Sequence, residues 1–103
     1  MNLKNHLAKQ IEWSRTTFGP NKRLNGLLDH IRKELKEIEE NPSDVNEWID
    51  LVILAFDGAW RNTGLDANQI VEALRAKQLK NTKRDWPDWR TKSEDEAIEH
   101  IRN

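Results

Sequence analysis

A chain of 103 residues is long enough for one domain around one core and too short for two. Its net charge of −1 gives no broad attraction to nucleic acid, and the lack of cysteine excludes disulfides and thiolate metal sites. Charged residues (34%) nearly match hydrophobic ones (36%), which calls for amphipathic helices with charged outer faces or for a core completed by a partner subunit. The first ten residues, MNLKNHLAKQ, hold no apolar signal core, and no run approaches a membrane span. A soluble cytoplasmic protein with neither a nucleic-acid nor a membrane partner is the expectation.

In chain order, Leu3, Leu7 and Ile11 recur at helical spacing and predict a first helix over 3–17, stopped by Phe18-Gly19-Pro20-Asn21. Leu24, Leu27, Leu28, Ile31, Leu35 and Ile38 mark a second helix, stopped by Asn41-Pro42-Ser43. Asp44 with Glu47 three residues later signals the start of a third, and Glu47 could be spent on that cap. This third helix runs to about Asn62. It is apolar almost all round, which predicts burial, with Trp48 and Trp60 in the core. Asp66 with Gln69 opens a fourth helix bearing Ile70, Val71, Leu74 and Leu79. Pro87 makes Trp86–Trp89 irregular, and Ser93 with Glu96 predicts a last short helix through Ile101. No run alternates long enough for a strand. The expected class is all-α, four main helices plus a short C-terminal helix, in a single domain over 1–103.

The chemistry gathers at residues 34–57. Glu34 and Glu37 lie three apart on the second helix, and Glu47 and Asp50 lie three apart on the third. Each pair shares a helix side, and the short break at 41–43 folds the helices back on each other. Asp57 and Arg61 fall in the same narrow sector as Glu47 and Asp50. Carboxylates on an apolar helix are costly unless paired or bound to metal. Such an oxygen set suits a hard divalent cation, Mg²⁺ above all when phosphate is present, with Mn²⁺ as a substitute.

On the fourth helix, Lys77, Asn81 and Arg84 fall on one side and could face phosphate oxygens; a solvated face is the plainer reading. Trp13, Trp86 and Trp89 lie near chain breaks, where they either stack on a base or cover the core at a helix end. His30, one turn before Glu34, reads either as the edge of the site or as surface. No Ser-His-Asp order, Gly-rich phosphate loop or thiol nucleophile is present.

Glu34-Leu35-Lys36-Glu37 followed by Glu47-Trp48-Ile49-Asp50, with Lys77 and Asn81 one turn apart further on, resembles the MazG-like superfamily of all-α nucleoside triphosphate pyrophosphohydrolases. The blocks WSRTTFGP, LDHIRKELKEIE, EWIDLVILAFDGAWR, AKQLKNTKRDWPDWR and AIEHIR, in that order, are similar to its small MazZ or dATP/dGTP diphosphohydrolase branch nearly end to end. Only nine residues separate Glu37 from Glu47, shorter than usual in the superfamily, which also favours the small branch.

The resemblance implies Mg²⁺-dependent hydrolysis of a purine deoxynucleoside triphosphate, dGTP or dATP, to monophosphate and pyrophosphate. Two or more ions would be held by Glu34, Glu37, Glu47 and Asp50, with Asp57 as an added ligand or an outer acceptor. Glu37 would take a proton from water, and Lys77, Asn81, Arg84 and Arg15 would offset phosphate charge, with Trp13 near the base. It also implies a homo-oligomer, dimer or tetramer, whose partner completes the bundle. Members occur in phages, which would place the protein in the host cytoplasm. The competing readings are a same-fold hydrolase for another nucleotide and a non-enzymatic helical adaptor.

Overall fold

The computed structural model describes residues 1–102. Among them are four α-helices and one 3-10 turn, with no strand: the protein is all-α. The chain divides into two compact units, Met1–Val71 and Glu72–Asn103.

Local chemistry explains most of the helix boundaries. Helix α1 (Leu3–Phe18) starts where the Asn2 side chain accepts from the Asn5 N–H at 3.1 Å. It ends at Gly19, whose φ of 86° only glycine adopts without strain. Helix α2 (Leu24–Glu40) ends where the Asn41 N–H closes on the Glu37 carbonyl at 3.0 Å, just before Pro42. Helix α3 (Val45–Thr63) is capped by Asp44, which accepts from the Asn46 N–H, and stops at Gly64 in the left-handed conformation. Helix α4 (Ala67–Lys83) opens with the reciprocal cap expected from Asp66 and Gln69. The Gln69 N–H donates to Asp66 at 2.9 Å, and the Asp66 N–H donates to the Gln69 side chain at 3.0 Å.

In the first unit, Leu7 and Ile11 of α1 meet Trp60 of α3 and Ala67 and Ile70 at the start of α4. Helices α2 and α3 form the antiparallel pair, with Leu27, Ile38 and Leu54 buried between them. This pair carries both acidic motifs.

Two expectations need correction. Helix α3 is not buried all round: Leu54, Trp60 and Arg61 are buried, while Val45, Trp48, Ile49 and Val52 lie exposed. Trp48, expected in the core, is 49% exposed, and its indole N–H donates to the Pro42 carbonyl at 2.9 Å. The exposed four are spaced i, i+3, i+4, i+7, so they form one stripe, and α1 and α2 pack on the other side of the helix.

The short C-terminal helix also does not form. Ser93 and Glu96 make only a turn, and the one helical element after α4 is the 3-10 turn Trp89–Thr91, capped by Asp88. A short isolated helix does not repay its nucleation cost. Instead the tail runs back, with the Ile101 N–H donating to the Asp85 carbonyl at 2.8 Å. Leu74 and Leu79 of the fourth helical stripe are exposed.

Candidate metal centre and nucleotide cavity

The helix–turn–helix of α2 and α3 brings Glu34, Glu37 and Glu47 together, with one carboxylate oxygen from each within 4.8 Å of the others. Glu34 is 3% exposed, Glu47 is half-buried and Glu37 lies at the solvent side. Glu34 Oε1 and Glu47 Oε2 are both buried and accept no hydrogen bond among the described residues. Glu47 is thus not spent on the helix cap, a task left to Asp44.

Crowding the acids shifts their proton affinity. The Glu47 carboxyl is pushed up to about 7, first because its protonated form can donate to the adjacent Glu34, a bond the ionised pair lacks, then by burial and by Glu37. For Glu34 the hydrogen bond with Glu47 is the largest influence and pulls the pKa down. Burial and the negative charges of Glu37 and Asp50 outweigh it, so the pKa is raised. A carboxylate cluster that retains protons near neutrality is a strong acceptor for a cation.

The other sequence candidates lie elsewhere. Asp50 is exposed and stands outside the three-carboxylate group, but it lines the same cavity as Glu34. Asp57 lines that cavity too, with both oxygens engaged. Oδ1 accepts from the Ser14 hydroxyl at 2.5 Å and the Trp60 indole at 2.8 Å, and Oδ2 accepts from Arg61 Nε at 2.8 Å. Arg15 pairs with Glu12 at 3.2 Å and lies over the Trp60 ring, lining a separate hollow. Lys77, Asn81 and Arg84 belong to the second unit, where Arg84 donates to the Asn81 side chain at 3.1 Å.

The cavity beside the acids measures about 360 Å³ and opens between α1, α2 and α3. That is within the size of small-ligand sites, roughly 300–1,000 Å³. Trp13 and Phe18, in edge-to-face contact with centroids 5.6 Å apart, form an aromatic wall; Leu27, Ile53 and Leu54 are apolar; Glu34 and Asp50 stand at the acidic side. Gln10, Ser14, Phe18, Arg23 and Leu27 are lining residues that sequence reasoning did not single out. Ser14 alone had a signal: it continues the Leu7–Ile11 stripe, and a hydroxyl on a core stripe needs a partner.

Among the described residues, no helix is long and apolar enough to cross a membrane. No curated protein and no solved structure matches the chain. A sequence model of the dATP/dGTP pyrophosphohydrolases matches residues 6–103, thereby covering both units and every residue of the acidic cluster and its cavity. The chain belongs to the dATP/dGTP pyrophosphohydrolase family and is a nucleoside triphosphate pyrophosphohydrolase.

Proposed function

We propose that the protein hydrolyses dGTP or dATP to the monophosphate and pyrophosphate, using a divalent cation, Mg²⁺ by preference, at Glu34, Glu37 and Glu47. One observation supports the metal most directly. Two buried carboxylate oxygens, Glu34 Oε1 and Glu47 Oε2, have no donor among the described residues and lie in a three-carboxylate group. An orphaned buried acceptor is costly, and a hard cation satisfies several at once. Asp50 extends the oxygen set toward the cavity. When bound, the cation would supply Lewis acidity toward phosphoryl oxygens and a water of lowered pKa.

The chain's own groups divide the remaining work. Glu37 is the solvent-side member of the cluster, so its carboxylate is the one open to take a proton from an attacking water. The cavity takes the nucleoside, with Trp13 and Phe18 offering a face to the purine. Lys77 and Asn81 of α4, with Arg84 just past its last residue, form a donor set of their own, whose charge and amide suit a phosphate group. The exposed α3 stripe, Val45, Trp48, Ile49 and Val52, is the surface of a homo-oligomer, covered by a second copy. The two units act as one catalytic domain, as one sequence model spans both, and a nucleotide substrate fits a cytoplasmic setting.

Family membership removes the adaptor reading, and the choice of nucleotide is decided by assay. A panel of the canonical triphosphates, with phosphate and pyrophosphate detected separately, should give pyrophosphate from the purine deoxynucleotides. Glu34→Gln should lose at least about a hundredfold in turnover, the scale of a charged contact made only in the transition state. Release of single phosphate, or a preference for pyrimidines, would overturn the assignment.

A further inference from the structure

Arg61 does not line the nucleotide cavity, yet it is bonded to two residues that do, Ser14 and Asp57. Its side chain is wholly buried. All five of its N–H donors are used. Nε donates to Asp57 Oδ2 at 2.8 Å, and Nη1 donates to the Gly19 and Asn21 carbonyls, both at 2.7 Å. Nη2 donates to the Ser14 hydroxyl oxygen at 3.0 Å and to the Ser14 carbonyl at 3.3 Å. The Ser14 hydroxyl in turn donates to Asp57, closing a ring of three side chains.

The turn that Arg61 grips runs from Gly19 to Arg23. Both ends have positive φ, +86° at Gly19 and +48° at Arg23, and for a residue with a Cβ that conformation is uncommon and needs support. Arg23 has no side-chain cap to stabilise the start of α2. The support comes from across the fold, since Arg61 holds two carbonyls of the turn between Phe18 and Arg23. Those two flanking residues line the cavity, as do Ser14 and Asp57.

We propose that Arg61 is a positioning residue for nucleotide binding: its guanidinium fixes the 19–23 turn and so sets Phe18 and Arg23 against the bound nucleoside. Asp57 is the carboxylate that orients that guanidinium. The inference rests on the reading that this cavity takes the nucleoside. Arg61 therefore controls affinity for the nucleotide, whereas the acidic cluster controls turnover and metal dependence.

Arg61→Lys keeps the charge beside Asp57 but replaces a five-donor fork by a compact ammonium that cannot span Asp57, Ser14 and both turn carbonyls. Below its melting transition, the variant should bind a non-hydrolysable dGTP analogue about tenfold more weakly and show a matching rise in KM. Its kcat at saturating nucleotide and its Mg²⁺ dependence should stay within about twofold of wild type. Trp13→Ala, measured alongside, tests the cavity itself. If Trp13→Ala binds the analogue normally, the cavity reading fails and the Arg61 proposal fails with it. If Trp13→Ala weakens binding and folded Arg61→Lys does not, the cavity stands and the role of Arg61 is overturned. A fall in kcat at unchanged KM would equally overturn it. Should Arg61→Lys not fold, Gly19→Ala, which strains the same turn at φ +86° from a position outside the cavity lining, carries the test. Weaker analogue binding with unchanged Mg²⁺ dependence supports positioning; unchanged analogue binding or an altered metal requirement refutes it.

Discussion

Glu34 on α2 and Glu47 on α3 meet carboxylate to carboxylate, each with one oxygen closed off from solvent and from every hydrogen-bond donor among the described residues. The contact makes the metal-free fold dependent on pH. Glu47 ionises at about 7 instead of 4.5, and Glu34 is raised as well, so the folded protein holds protons that the unfolded chain has released. Stability from these groups is complete below about pH 4.5 and is lost as the pH rises through about 7. In EDTA the urea midpoint should therefore fall between pH 5 and 8, and Glu47→Gln should flatten the decline. Mg²⁺ at pH 8 should restore the midpoint in wild type by mass action, and much less in Glu47→Gln. A wild-type midpoint that rose with pH in EDTA would show that the acids are not coupled in this way.

Asp50 has a different environment from these two acids, and its substitution should behave differently. Being exposed at the cavity beside Glu34, it pays little for its charge. Asp50→Asn should change unfolding free energy by no more than about 0.5 kcal/mol, the usual range for a surface change. Turnover should drop about tenfold to a hundredfold, the scale of a lost charged contact. Normal turnover in the folded variant would remove Asp50 from the catalytic set.

The exposed stripe of α3 makes a prediction about assembly. Val52 lies 47% exposed between Trp48 and Ile49 on one side and the rest of the helix on the other. Light scattering after size exclusion should give wild type the mass of a dimer or tetramer. Val52→Lys, which places a charge in an apolar contact, should shift the mass toward the monomer. A wild-type chain that runs as a monomer at micromolar concentration would refute a second copy on this face.

Much of the architecture was legible because helix ends are written locally. Gly19-Pro20, Asn41-Pro42, Asp44, Gly64 and the Asp66–Gln69 box act within four residues of themselves, so spacing and turn chemistry predict all four helices closely. The grouping of Glu34, Glu37 and Glu47 was legible for the same reason, since each acidic repeat shares one side of its helix and the tight turn apposes the two helices, whereas Asp50 stands outside that group. The tail failed because Ser93 and Glu96 supply a start signal but too few residues follow to outweigh nucleation, while a backbone bond to Asp85 competes.

What periodicity could not reach were relations between residues some forty positions apart. An apolar wheel identifies α3 as a helix that avoids water. It does not say whether this chain or another covers each side, and here the 45–52 stripe stays open. Asp57 shares a sector with Glu47 and Asp50, but its carboxylate is claimed by Ser14 and Arg61 once α1 packs on α3. Arg15 is turned to the Trp60 side, away from the acids, by the rotation of α1 about its buried Leu7–Ile11–Ser14 stripe. A helix's own sequence sets which residues share a face. Which face meets which neighbour is settled only when the helices pack, because burial and hydrogen-bond pairing are properties of the contact between elements and not of either element alone.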